Sequence, residues 1–218
     1  MYILRSALNR SYAAAPRSLS YPSSMGQQRS IGTSRGSNQL SGTFYEFRSY
    51  VIQPGKIIFS LGSYKERSAV REALANNKDW QQNYISKMLP MLLSQTSEIV
   101  YMVPWAELGK PPKKGIYELV TYQMVPGGPV VWGKAFQKAV SAHSNVGYCT
   151  LIGVFHSEFG QLNKVHVLWW HEDGDHRASG RHRSHEDVRV VAAVRDSASY
   201  LVTQTNKLLL PTSYSPLK

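Results

Sequence analysis

The sequence predicts an α+β protein made of two tandem copies of one sheet-and-helix unit, with the first copy shortened. Two observations carry this. The segment Phe44-Tyr45-Glu46-Phe47-Arg48-Ser49-Tyr50-Val51-Ile52-Gln53-Pro54-Gly55 returns as Ile116-Tyr117-Glu118-Leu119-Val120-Thr121-Tyr122-Gln123-Met124-Val125-Pro126-Gly127, an offset of 126 − 54 = 72. Further along, Arg67-Ser68-Ala69 and Gln95-Thr96 return as Arg177-Ala178-Ser179 and Gln204-Thr205, at offsets of 110 and 109, so the first copy is short by 109 − 72 = 37 residues. A repeat of this kind fixes the architecture, because each copy must bury the same faces.

Residues 1–41 come first and differ from everything after them. They carry Arg5, Arg10, Arg17, Arg29 and Arg35, are rich in Ser, and precede the first acidic residue, Glu46. That composition is expected of a mitochondrial transit peptide. As a helix it would place Ile3, Leu4, Ala7, Leu8 and Ala15 on one arc bordered by Arg5 and Arg10. A disordered basic tail, leaving the protein in the cytosol, is the alternative. A secretory leader is excluded, since Arg5 and Arg10 interrupt any apolar core.

The shortened first unit spans residues 42–104. Phe44–Ile52 reads as its opening strand, 67–75 and 80–93 as helical stretches, and Glu98–Val103 as its closing strand. Only Gly55–Gly62 lies between Pro54 and Ser63, so the first helix and the hairpin of the unit are expected to be missing. A connector rich in Pro and Lys follows at 105–115, with Pro111-Pro112 as a breaker.

The second unit, 116–218, is complete. Ile116–Val125 alternates and is β-rich, and Pro126-Gly127 stops it. Gly128-Pro129 then opens a helix with Pro in its first turn, and Trp132, Phe136, Ala139 and Val140 recur at helical spacing. Tyr148–Phe155 and Lys164–Trp170 are strands joined by a hairpin near Gly160-Gln161. Ser184-His185-Glu186-Asp187 has the form of a capping box, opening a helix expected to bury Val190, Val191, Val194, Ala198, Leu201 and Val202. Leu208–Leu210 is a short closing strand before Pro211. The order β-α-β-β-α-β is the ferredoxin-like split arrangement, four antiparallel strands with two helices on one face. Two such units in tandem cover each other's open sheet faces as an α/β barrel of the kind that dimers of single units form.

Composition narrows function. The net charge is +11 over 218 residues, from 25 Lys and Arg against 14 Asp and Glu. Without the five arginines of 1–41 the remainder is 20 − 14 = +6, scattered except for Lys110, Lys113 and Lys114 in the connector and Arg177, Arg181 and Arg183. No basic stripe interleaves with aromatics, so nucleic acid is not an expected partner. No apolar run is long enough to span a bilayer. Cys149 is the single cysteine and excludes an intrachain disulfide.

Several motifs together resemble one family. Phe44-Tyr45-Glu46-Phe47-Arg48-Ser49-Tyr50, Val103-Pro104-Trp105, Pro111-Pro112-Lys113, Tyr117-Glu118-Leu119, Val154-Phe155-His156, His166-Val167-Leu168-Trp169-Trp170, Gly180-Arg181-His182-Arg183-Ser184-His185-Glu186-Asp187 and the ending Leu210-Pro211-Thr212-Ser213-Tyr214-Ser215-Pro216-Leu217-Lys218 are similar to the NipSnap proteins, the third-paralogue group of vertebrates in particular. The resemblance implies tandem dimeric-α/β-barrel repeats, mitochondrial association and no assigned enzymatic activity. It also implies a binding role linked to vesicle traffic and to recruiting autophagy adaptors in mitophagy. The short first unit departs from the family and resembles a splice variant joined at Gly55–Gly62.

The residues themselves offer little complete chemistry. His156 and His166 flank the hairpin and are expected to be cross-strand neighbours, lining a barrel cavity with Tyr148 and Trp170. A small-molecule-binding or oxidising barrel built on these four is the alternative to a binding protein. Two histidines without a carboxylate in register are an incomplete metal set. His182-Arg183-Ser184-His185-Glu186 matches neither zincin spacing. No cofactor or metal is therefore expected, and no catalytic residue is assigned. Trp105-Ala106-Glu107-Leu108 has the aromatic-x-x-aliphatic form of peptides that add a strand to ubiquitin-like autophagy adaptors, with Trp105 and Leu108 as anchors. The competing reading has Trp105 packed across the unit boundary. Expected partners are proteins, the mitochondrial import machinery and a second copy of the chain, because a shortened unit leaves a strand edge uncovered.

Overall fold

The computed structural model describes residues 2–4, 44–51, 55–61, 63–213, 215 and 217. The expected transit helix falls on residues 1–41 and so lies outside the described residues, apart from Tyr2–Leu4. These three form a short strand, β1, rather than a helical turn.

Strand β2 (Phe44–Val51) is followed by β3 (Gly55–Leu61), then by helix α1 (Tyr64–Asn76) and the short turns α2 (Lys78–Trp80) and α3 (Ser86–Met88). A π-helical stretch, Gln81–Ile85, joins the last two, and a 3-10 turn at Leu89–Met91 ends the segment at Pro90. Strand β4 (Ser94–Met102) closes the first unit. The second unit runs β5 (Ile116–Met124), α4 (Gly128–Asn145), β6 (Thr150–Phe159), β7 (Lys164–His171), α5 (Gly174–Glu186), α6 (Val188–Ala198) and β8 (Leu201–Leu209).

The eight strands make one sheet in the order β1-β3-β2-β4-β6-β7-β5-β8. Within the second unit this is the ferredoxin-like order, and the first unit repeats part of it in register. Tyr45 pairs with Ser60 and Val100, while Tyr117 pairs with Trp170 and Leu209, so the partners keep offsets of 72, 110 and 109. Strand β3 therefore stands where β7 stands. The expectation that the first unit lacks both hairpin strands is corrected: β3 supplies one of them, counterparts of α4 and β6 are absent among the described residues, and the offset steps from 72 to 110 between Pro54 and Gly55. Gly55–Leu61 forms a strand because β2 offers it a partner along its length, and Ile57-Ile58-Phe59 at its centre suit a strand. Parallel pairing of Tyr2–Leu4 with Ile57–Phe59 covers the other side of β3.

Two layers of apolar residues flank the second unit's sheet, as strand alternation requires. Val120, Val154, Val165, Val167 and Trp169 face α4 and pack on Trp132, Phe136 and Val140. On the opposite face Tyr117, Leu119, Ile152, Phe155, Leu168 and Trp170 meet Phe47 and Val100 of the first unit, so the two units share one core.

Two local expectations change. Ser184 sits inside α5, its hydroxyl donating to the Arg181 carbonyl, and Asp187 caps α6 by accepting from the Arg189 N–H. Of the apolar face expected for that helix only Val190 is fully buried; Val194 is 40% exposed and Val202, already in β8, is 57% exposed. The closing strand is also longer than the Leu208–Leu210 expected from its apolar end, because Thr and Gln on an edge need no burial to pair.

Candidate functional site

The strongest electrostatic feature of the fold is a glutamate on the first strand of each unit. Alternation turns Glu46 of β2 and Glu118 of β5 toward the helices, away from the shared core. The side chain of Glu46 is 0% exposed and accepts from Arg67 and Arg71, each at 2.8 Å, from Arg48 at 2.9 Å, and from the Ser97 hydroxyl. Glu118 accepts from Arg177 Nε at 3.2 Å, from Arg177 Nη2, from Asn206 Nδ2, and from His171 Nε2 at 3.3 Å. Burial alone would raise both carboxyls; the arginine, histidine, serine and asparagine donors outweigh it. Glu46 is lowered to about 2, and Glu118 is held well below the ordinary carboxylate range.

Neither network was identified as a site from sequence, although the signal is present. Glu46 and Glu118 are 72 apart, Arg67 and Arg177 are 110 apart, and Ser97 and Asn206 are 109 apart. Residues of opposite charge that recur at the repeat's own offsets are candidates for pairing with each other.

Beside Glu118 a cavity of about 390 Å³ lies between the sheet and helices α4, α5 and α6. Its existence follows from small residues on the covering helices, Ala139, Gly180, Ser184 and Ala198, set over the larger Tyr122 and Trp169. Gly180 is required where it stands, since an added Cβ would meet the Tyr148 carbonyl oxygen at 2.5 Å. His171 lines the cavity with its Nδ1 buried and lacking a partner among the described residues. Cys149 also lines it, and burial pushes its thiol up to about 12, which leaves it a poor nucleophile at neutral pH.

A third cluster joins the units on the face away from α4. His166 is 5% exposed and hydrogen-bonds through Nδ1 to Thr121 Oγ1 at 2.9 Å and through Nε2 to Glu98 Oε2 at 3.1 Å. Lys164 completes the pairing of Glu98. Burial raises the Glu98 carboxyl, but His166 and Lys164 together lower it to about 2.

The four residues expected to line one barrel cavity do not converge. The register sets Phe155 opposite His166 and His156 opposite Val165, so the two histidines lie on opposite faces and are diagonal rather than direct neighbours. His156 lies beside Tyr101, with ring centroids 6.3 Å apart. Trp170 is packed in the shared core. Tyr148 lies at the helix-side cavity, its ring beneath the Arg183 guanidinium at 4.9 Å. The hairpin turns where the sequence indicates, through Gly160 at φ 118° and Asn163 at φ 56°, but its register sets Val165 rather than His166 opposite His156, and this one-residue difference separates the histidines. Among the described residues no three His, Cys, Asp or Glu side chains are grouped to hold a metal ion. Nor is any described helix long and apolar enough to cross a membrane.

Trp105 and Leu108 behave differently from each other. Trp105 is partly buried against the helix-side core, whereas Leu108 is 43% exposed. Backbone hydrogen bonds from Ala106 to Val103 and from Gly109 to Ile152 tie down both ends of the segment.

Comparison with known proteins agrees with this architecture. The NIPSNAP family profile matches residues 117–216, which is the second unit from Tyr117 onward. The human protein NipSnap homolog 3A is 46% identical over 255 aligned positions covering 100% of both chains, and NipSnap homolog 3B of Mus musculus is 45% identical over the same span. The alignment is thus 255 − 218 = 37 positions longer than this chain. Among solved structures, an uncharacterized NIPSNAP domain protein from Burkholderia xenovorans is 27% identical with a TM-score of 0.44, covering 46% of this chain and 98% of its own. An anthrone oxidase-like protein reaches a TM-score of 0.50 at 11% identity, over 77% of this chain and 76% of its own, a likeness of fold alone. With its strand registers repeating at the sequence offsets and its whole length matched at this identity, the chain belongs to the NipSnap family, in its third-paralogue group.

Proposed function

We propose that the chain is a non-catalytic binding protein, addressed to mitochondria by residues 1–41, whose folded body meets protein partners in autophagy-adaptor recruitment or vesicle traffic. The observation that carries the non-catalytic reading is the state of the buried ionisable groups. General acid–base catalysis is best served by a group whose pKa lies near about 7. Glu46 and Glu98 sit at about 2, and Glu118 is held below the ordinary range, all by internal cations. His166 has both ring nitrogens bonded within the protein. These arrangements favour a fixed fold over proton transfer.

Replacing both His156 and His166 by Gln therefore leaves partner capture unchanged. It costs about 1–3 kcal/mol of stability through the buried His166 bonds. Purified protein that carries stoichiometric haem or metal, lost in that double variant, overturns the reading. The address is tested separately by fusing residues 1–41 to a fluorescent cargo. Mitochondrial import is expected, and Arg5, Arg10 and Arg17 changed together to Glu abolish it; a cytosolic unmodified fusion sinks this part.

Leu108 is the residue through which to test adaptor capture. Trp105 must leave the core before a peptide of this form can seat both anchors, so Trp105→Ala mixes stability with binding. Leu108→Ala removes an exposed anchor while leaving the fold intact. Loss of binding to a purified ubiquitin-like adaptor in Leu108→Ala supports this segment as the contact, and unchanged binding moves the contact elsewhere.

A further inference from the structure

The two units offer the sheet two junctions, and one is used. Where they meet, the fourth strand of the first unit pairs with the second strand of the second, β4 with β6, through Ile99–Met102. The offset of 109 that maps β4 onto β8 carries this stretch to 208–211 (99 + 109 and 102 + 109). The partner expected there is the second strand of the first unit, whose counterpart residues this chain lacks. Among the described residues β8 pairs with β5 alone. The side chains record the vacancy: Ile99 is 8% exposed at the used junction, and Leu208 and Leu210 are 64% and 63% exposed at the unused one.

The free edge also has little of the usual protection. Proteins blunt exposed edges with charge, proline or a bulge that turns the strand away. Leu201–Leu209 has one charge, Lys207, and no proline, and residues 202–208 are all exposed. Its bulge is the extra residue Val202, between the partners of Gln123 and Met124, and lies at the start of the strand, leaving residues 203–209 in regular register with β5.

The strand's own sequence indicates the occupant. Read outward from Thr205, it is nearly symmetric in chemical character: Gln204 and Asn206, Thr203 and Lys207, Val202 and Leu208, Leu201 and Leu209. An antiparallel copy centred on Thr205 sets amide against amide and apolar against apolar at both ends, with Lys207 facing a threonine. Centring on Lys207 would oppose two lysines, and centring on Thr203 would set Leu201 against Thr205. Directly opposed pairs of this kind are the unit of sheet stabilisation. A two-fold contact closes at two copies.

We propose that a second copy of this chain docks antiparallel along the free edge of β8, centred on Thr205, and joins the two sheets into one. This goes beyond the binding role proposed above and does not depend on it or on the mitochondrial address. Sedimentation of the full chain tests it. Wild-type protein is expected as a concentration-dependent dimer. Thr205→Lys and Thr205→Glu each place like charges across the axis and weaken the dimer by about tenfold or more. Mixing the two variants restores it, a rescue that misfolding cannot produce. Val130→Lys, at a position 97% exposed on α4, leaves it unchanged. A wild-type chain that stays monomeric at about 100 µM overturns the proposal, that being within the range where exposed edges associate. So does a dimer indifferent to Thr205→Lys, failure of the mixed variants to pair, or assembly beyond two copies.

Discussion

The first and second units place the same glutamate beneath the same helix arginine, but they bury their helices very differently. In the second unit α4 sends Trp132, Phe136, Ala139 and Val140 into the core. In the first unit α1 and the turns after it bury no residue fully. The strand registers are nevertheless the same in both. Sheet pairing and the Glu–Arg contact therefore persist without the first helix of the unit, whereas a packed helical layer does not. What holds the first unit is its share of the common core, Phe47 and Val100 against Phe155 and Leu168.

The largest expected effect breaks this comparison at its centre. Phe136→Ala should cost about 3–5 kcal/mol in urea unfolding, since it empties a site in the helix-side core. Met91→Ala, 63% exposed in the first unit, should stay within about 0.5 kcal/mol. Equal losses would show that the first unit's helices carry a core of their own.

Next are the two glutamates. Glu46→Gln and Glu118→Gln each take the charge from a buried carboxylate whose arginine partners are partly exposed, and should cost about 1.5–3 kcal/mol through the weakened charged hydrogen bonds. Because the units share a core, either variant should shift one cooperative transition. A separate early transition in Glu46→Gln alone would show the first unit unfolding independently.

A smaller effect comes from pH. Glu46 and Glu98 fall from 4.5 to about 2 on folding, and Glu118 is lowered as well. Groups with depressed folded pKa values contribute stability that is fully present above the unfolded value and lost as pH falls through the folded one. Stability should therefore be flat down to about pH 5 and decline from there toward pH 2. Lys164→Met should raise the Glu98 carboxyl towards its ordinary value and so make that decline smaller, because the window between the unfolded and folded values narrows; a profile with the same pH dependence as wild type would remove Lys164 from the account.

Hydrogen exchange gives the smallest and finest contrast. Tyr117–Met124 and Val165–Trp170, central in the sheet and covered by α4, should exchange slowest. Strand β2, paired on both sides by β3 and β4, should follow closely, and the outward N–H groups of a monomeric β8 should exchange fastest. A β2 that exchanges as fast as β8 would show that β3 does not hold it.

The sequence by itself determined the repeat, the ferredoxin-like order of the second unit and the helix α4, because each is written in local periodicity or in matching residues at a fixed offset. Ile116–Val125 alternates, Trp132 to Val140 recurs at helical spacing, and Tyr-Glu begins both copies. Tertiary structure decided the rest. Gly55–Leu61 became a strand because β2 was there to pair with it, which no property of those seven residues alone requires. His156 and His166 parted because a one-residue difference in hairpin register moves every side chain beyond the turn to a new register position. Glu118 met Arg177, His171 and Asn206, and β8 was left with an open edge among the described residues, through contacts between segments far apart in the chain. Local patterns record which face a residue presents; only the assembled sheet fixes what that face meets, because burial and pairing are properties of neighbours and not of single segments.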